Sequence, residues 1–292
     1  MLLLALACTL PRAPMDHLAP PAPTDPWALL DEPGLLTHKA YVSAYWAADA
    51  DGLVNFDNPG ADVLENHEVR IALPVHALTH PTHGTVYIDT GIPETLQVRG
   101  PLVQMALKSM EPVLTLDRII AESGPAVAFF LTHMHADHIL GLPDVPVETT
   151  IFVGPGEWEP RGQGRGLLRR SLKATFGDHG FTEIEFAGPV GGFDGVYDVW
   201  GDGSLFVLHT PGHTPGSISL IARTTEGSML FTGDTCHTLW GWEAGVEPGG
   251  FTLDHAENAR NLTALKALAE QHDLTVWVGH ETDGEGTGIV TD

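Results

Sequence analysis

Val127-Ala128-Phe129-Phe130-Leu131-Thr132-His133-Met134-His135-Ala136-Asp137-His138 decides how this chain reads. Val127 to Leu131 is short and wholly apolar, the signature of a buried strand. It delivers the chain directly into four metal-type side chains. His133 and His135 are two apart in an extended segment, so they project to the same side. The loop that follows can fold Asp137 and His138 onto a neighbouring point. Imidazole and carboxylate suit zinc, iron, manganese and cobalt. Two such ligand sets can hold a metal pair ~3.5–4 Å apart, which clamps a hydroxide and polarises the electrophile it attacks.

Four donors do not complete two sites, so further ligands are expected at other strand ends. His213 lies in Thr210-Pro211-Gly212-His213-Thr214-Pro215-Gly216, between two strand-like runs. Asp234 follows the apolar Met229–Thr232, and His280 follows Thr275–Val278. Each is placed by a preceding glycine on a loop, where functional residues concentrate. His17, His38, His67, His179 and His272 read instead as solvated or hydrogen-bonded surface residues. Cys236 reads as a small buried hydrophobe, and His209 as either a core histidine or a group that orients a ligand.

Outward from these motifs, β-prone runs cover Tyr41–Trp46, Val69–Leu78, Thr85–Asp89, Thr150–Val153, Glu183–Phe186, Val196–Val199, Leu205–His209 and Ser217–Ala222. Helical patterning covers Glu94–Met110, Leu116–Glu122, Leu167–Phe176 and His255–Glu270, the last capped by Asp254. Residues 154–166 hold five glycines and two prolines and read as a long flexible loop. Two β-rich halves, each with helices on one side, predict an α/β (α+β) chain folded as a four-layer αββα sandwich.

Residues 1–40 read as an N-terminal extension and 41–292 as the catalytic domain. Seven prolines between residues 11 and 33 suggest an extended arm or a surface wrap. Met1–Cys8 resembles a short signal segment but lacks a basic start. A cytoplasmic location is the expectation, with export through that segment the alternative. Nothing in the chain is long and apolar enough to span a membrane as a helix. The formal net charge of −24 argues against nucleic acid as a partner. Two cysteines supply no disulfide framework.

The order Asp89, His133-x-His135-x-Asp137-His138, His213, Asp234, His280 resembles the metallo-β-lactamase superfamily, from about residue 40 to the end. The resemblance implies a small-molecule hydrolase with two divalent metal ions, zinc first and iron, manganese or cobalt as alternatives. His133, His135 and His213 would bind one metal, Asp137, His138 and His280 the other. Asp234 would bridge them, and the acid Asp89 would brace the first ligand loop.

Pro74–Leu78, Tyr87–Gly91 and Thr210–Gly216 are similar to the N-acyl-homoserine-lactonase-like branch. Many members of that branch carry Tyr three residues after the bridging Asp; here the position is His237. The resemblance therefore implies a lactonase, with an organophosphate or aryl ester hydrolase similar to methyl parathion hydrolase, or a glyoxalase-II-like thioesterase, as alternatives. A non-enzymatic binding protein would require a damaged ligand set, and redox members usually carry a further flavin domain. Asp137, Asp234 and His237 are the expected catalytic groups. Trp240, Trp242 and Phe251, with Trp46 and Trp158, are expected to line the substrate pocket. The proline-rich arm could pack on a second copy, since related enzymes often form homodimers.

Overall fold

Period-two alternation along the strands decides what lies between the layers of this chain. The computed structural model describes residues 25–95, 107–157 and 179–281. Twelve strands run through them: β1 Thr37–Asp49, β2 Glu68–His80, β3 Gly84–Ile88, β4 Glu111–Pro112, β5 Ala126–Phe130, β6 Thr150–Val153, β7 Thr182–Glu183, β8 Val196–Asp198, β9 Leu205–His209, β10 Ile218–Thr224, β11 Gly227–Phe231 and β12 Thr275–Trp277. They form a seven-stranded sheet in the order β4-β1-β2-β3-β5-β6-β7 and a five-stranded sheet in the order β12-β11-β10-β9-β8.

Val86 and Ile88 of β3, with Ala128 and Phe130 of β5, face Leu205, Val207, Leu220, Ala222, Met229 and Phe231 of the other sheet. The intervening residues face outward. Tyr87 and Phe129 pack with Leu116 and Ile119 of the helix Leu116–Ser123. Phe206, Leu208, Ile221 and Leu230 pack against Leu265, Leu268 and Ala269 of the helix His255–His272. The result is helix, sheet, sheet, helix. Asp254 caps the last helix by accepting from Glu257 N at 2.9 Å, leaving fewer of its first N–H groups unpaired.

The domain begins earlier than residue 41. β1 starts at Thr37, and Trp27 and Leu30 are buried beside Phe206 and Leu230. Gly34 N and Leu36 N bond to the Thr224 and Arg223 carbonyls, so residues 25–36 wrap along the five-stranded sheet. Prolines there prevent regular pairing without preventing burial. Met1–Cys8, most of the expected helix Glu94–Met110, the whole of Leu167–Phe176, and Trp158 lie outside the described residues. No described helix is long and apolar enough to cross a membrane.

Candidate metal centre and active site

β3, β5, β9, β11 and β12 all end at one rim of the sandwich, and each hands over a polar group. β3 ends before Asp89, β5 before the His133–His138 stretch, β9 before the His213 turn, β11 before Asp234 and β12 before His280. Two of the handovers require glycine. A Cβ on Gly279 would lie 2.5 Å from Asp234 Oδ1. One on Gly212, where φ is +137°, would lie 2.4 Å from Asn258 N.

The donors gather in two overlapping groups: His133, His135, His213 and Asp234; and Asp137, His138, Asp234 and His280. Asp234 belongs to both. Its Oδ2 lies 3.4 Å from the Nε2 atoms of His133 and His213 and 3.5 Å from His280 Nε2. Asp234 Oδ1 lies 3.3 Å from His138 Nε2. Asp137 Oδ2 is 3.6 Å from His138 Nε2 and 3.4 Å from His280 Nε2. Donors arranged tetrahedrally at zinc-like bond lengths would be separated by roughly 3.3–3.4 Å.

A second observation tests the fit. His133 Nε2, His138 Nε2 and Asp234 Oδ1 are buried and make no hydrogen bond. Buried polar atoms are almost always paired, so three converging orphans ask for a cation. The outward nitrogens, by contrast, are engaged. His138 Nδ1 donates to Asp89 Oδ2 at 2.8 Å, and His280 Nδ1 to the Ala72 carbonyl at 3.0 Å. His213 Nδ1 donates to Thr252 Oγ1 at 3.2 Å, whose own proton goes to the Pro248 carbonyl. A proton held on Nδ1 leaves the Nε2 lone pair aimed inward.

Asp89 adopts φ 58°, in the left-handed region that non-glycine residues seldom occupy. There its carboxylate accepts from Thr132 N at 2.8 Å as well as from His138. Burial holds His133 and His213 well below the ordinary histidine range, in the neutral form a metal needs. Burial also opposes charge on His138, but Asp234, Asp89 and Asp137 override it and raise its pKa. Against burial, the rings of His138, His237, His280 and His133 hold the Asp234 carboxyl well below the usual carboxylate range.

The sequence pattern of the metallo-beta-lactamase superfamily matches residues 88–280. The chain belongs to that superfamily. Membership implies divalent metal binding. The N-acyl homoserine lactonase AttM of Agrobacterium fabrum is 31% identical over 232 residues, covering 74% of this chain and 84% of its own. An N-acyl homoserine lactonase from a Bacillus species is 27% identical, with 73% and 83% covered. The solved structure of the dizinc quorum-quenching lactonase AidC, bound to a homoserine product, is 15% identical with a TM-score of 0.58; 87% of this chain and 94% of AidC are covered.

In this superfamily member the rim opens into a cavity of about 710 Å³ whose floor includes His135, Asp137, His213, Asp234, His237 and His280. Its walls are Trp46, Leu53, Ile71, Leu140 and Phe251. Asp49, Asp51 and Glu68 stand on its exposed edge. Phe251 and Trp46 thus reach the cavity. Trp240 and Trp242 do not line it. The short helix Leu239–Ala244 turns Trp240 into the cluster around Ala50 and Val246, and Trp242 against Leu265 and Val278. His237, fully buried, puts Nε2 3.0 Å from Asp234 Oδ2, and neither ring nitrogen makes a hydrogen bond.

His209 touches no ligand ring. It lies 3.0 Å from the Pro215 carbonyl and stacks on Phe186, steadying the His213 turn from behind. Cys236 is buried with its thiol pushed up to about 12 by burial, so it packs as an inert hydrophobe. The sequence reading missed Thr252, the Ala72 carbonyl, Leu53, Ile71, Leu140 and Glu157. Only Glu157 left a local signal: an acid between glycine-rich turns directly after a strand.

Proposed function

We propose that this chain is a divalent-metal-dependent lactonase that opens neutral lactones bearing an apolar acyl chain, as N-acyl homoserine lactones do. The carrying observation is the joining of the donor set to an apolar cavity with an acidic edge. His133, His135 and His213 would hold one ion and Asp137, His138 and His280 the other, with Asp234 shared. Zinc suits this nitrogen-and-oxygen donor set. Bound ions of this kind lower the pKa of water and polarise a carbonyl.

The protein's own groups do the rest. Trp46, Leu53, Ile71, Leu140 and Phe251 take the acyl chain and exclude water from it. His237, on the cavity floor, can donate to the carbonyl or ring oxygen. Asp137 Oδ2, at the cavity floor, can take the proton given up by the attacking water and pass it to the departing ring oxygen. Asp49, Asp51 and Glu68 repel an anionic substrate such as a glutathione thioester, and favour departure of the carboxylate that ring opening creates.

Initial rates on N-hexanoyl- and N-decanoyl-homoserine lactone, a phosphotriester and S-lactoylglutathione test this reading. The lactones should turn over fastest, the decanoyl compound with the lower KM. Faster phosphotriester or thioester hydrolysis would replace it.

A further inference from the structure

Residues 154–166 read from sequence as a flexible loop, yet the described start of that stretch is anchored. Glu157, two residues after Pro155, is buried. Its Oε1 accepts from Met134 N at 2.8 Å, and Met134 lies between His133 and His135. Its Oε2 accepts from Thr214 Oγ1 at 2.6 Å and Gly216 N at 3.0 Å, directly after His213. The approach is close: a Cβ on Gly216 would lie 2.6 Å from Glu157 Cβ.

We propose that Glu157 is a positioning residue. It ties the loop of His133 and His135 to the loop of His213, and so sets the affinity for the ion those three histidines would hold. The inference rests on the metal reading above. The two loops come from different sheets, β5 from the seven-stranded one and β9–β10 from the five-stranded one. His135 Nδ1 and His213 Nε2 stand 2.9 Å apart across that join, so a small slip between sheets would disperse the donors. The chemistry explains an acid here. Met134 N and Gly216 N can only donate, and the Thr214 hydroxyl donates as well. A group that only accepts satisfies all three, whereas Gln would turn an N–H toward one of them. Burying a carboxylate is costly without such bonds, which marks the position as one that needs the charge.

Competition for zinc against a chelator, with cobalt(II) absorption spectra, tests the role in the full chain. Wild type should bind two ions. Glu157→Gln should bind one with unchanged affinity and the other about 10–100-fold more weakly, with the spectrum of one cobalt altered. Asp198→Asn is the control. That buried carboxylate accepts from Gly201 N and Gly203 N in a turn after β8 and touches no ligand loop. It should leave both affinities unchanged even where it lowers Tm. If Glu157→Gln does not fold, Thr214→Val, which removes the hydroxyl contacts to Glu157 and Ser217 but keeps the Met134 N and Gly216 N bonds to Glu157, should show the same one-site loss at smaller size. Unchanged affinities, or equal weakening of both ions, would overturn the proposal. Failure of wild type to bind two ions would instead remove its premise, the metal reading.

Discussion

Among the described residues two groups of histidines have metal-type composition, and their hydrogen bonds separate them. The rim centre is one. The other is His80, His83 and Asp202, whose donor atoms also lie within 4.8 Å of one another. It sits where the β2–β3 hairpin turns, the opposite end of β3 from Asp89. In the rim centre the outward Nδ1 atoms of His138, His213 and His280 donate, which directs their Nε2 lone pairs into the donor cluster. At the hairpin the polarity reverses. His80 Nδ1 receives Thr82 N at 3.1 Å and His83 N at 3.2 Å. The neutral ring must then carry its proton on Nε2, which meets Asp202 Oδ2 at 3.0 Å. His80 then has no lone pair left for a metal, and its bonds make the group a hairpin clasp. Composition and proximity nominate a site; the tautomer decides it.

The contrast breaks most directly at Asp234. Asp234→Ala should bring lactone hydrolysis below detection and metal content below one ion per chain, read by elemental analysis, while circular dichroism stays native. Full metal content would contradict the shared-donor assignment. Next is the brace. Asp89→Asn cannot accept from both Thr132 N and His138 Nδ1 with the same strength, and metal affinity should fall about 10–100-fold. A loss confined to Tm, with affinity intact, would make Asp89 merely structural.

His80→Gln sharpens the other side. It disturbs the bonds from Thr82 N and His83 N as well as the contact with a part-exposed carboxylate, so stability should fall by about 1–2 kcal/mol in chemical denaturation, with metal content unchanged. Loss of a bound ion in that variant would restore the hairpin as a metal site.

The smallest effect concerns a third environment. His76 is buried between Phe231 and Trp277 beside His38, and burial, with His38, holds its pKa well below 6.5. The folded ring stays neutral while the unfolded one protonates as pH falls through about 6.5. Its contribution is therefore complete above that pH and declines below it. His76→Phe should flatten part of the acid-side slope of stability, measured on metal-stripped protein. An unchanged slope would show that His76 is not among its causes.

The layering was legible because period-two alternation is local: Val86 and Ile88 against Tyr87 need no partner to be read. The ligands were legible for a similar reason, since a strand followed by a glycine or a His-x-His run is a feature of contiguous residues. What escaped depends on chain segments meeting. Trp240 and Trp242 follow the Asp234 loop in sequence, but the helix Leu239–Ala244 rotates them onto other clusters. The cavity wall joins Trp46, which the sequence named, to Leu53 and Ile71, which it did not, all more than 160 residues before Asp234. His38 read as a surface residue, yet β1 carries it against His76 and Trp277. Glu157 was hidden in a glycine-rich stretch, because its partners Met134 and Thr214 lie far away in sequence.

The central claim is that this donor set, loaded with divalent metal, opens lactones. Zinc titrated into metal-stripped protein, while ring opening of N-decanoyl-homoserine lactone is followed by proton release, tests it most directly. The account predicts no turnover without metal and a rate that rises until two ions are bound per chain. Turnover by the stripped protein, or none at full occupancy, would contradict it.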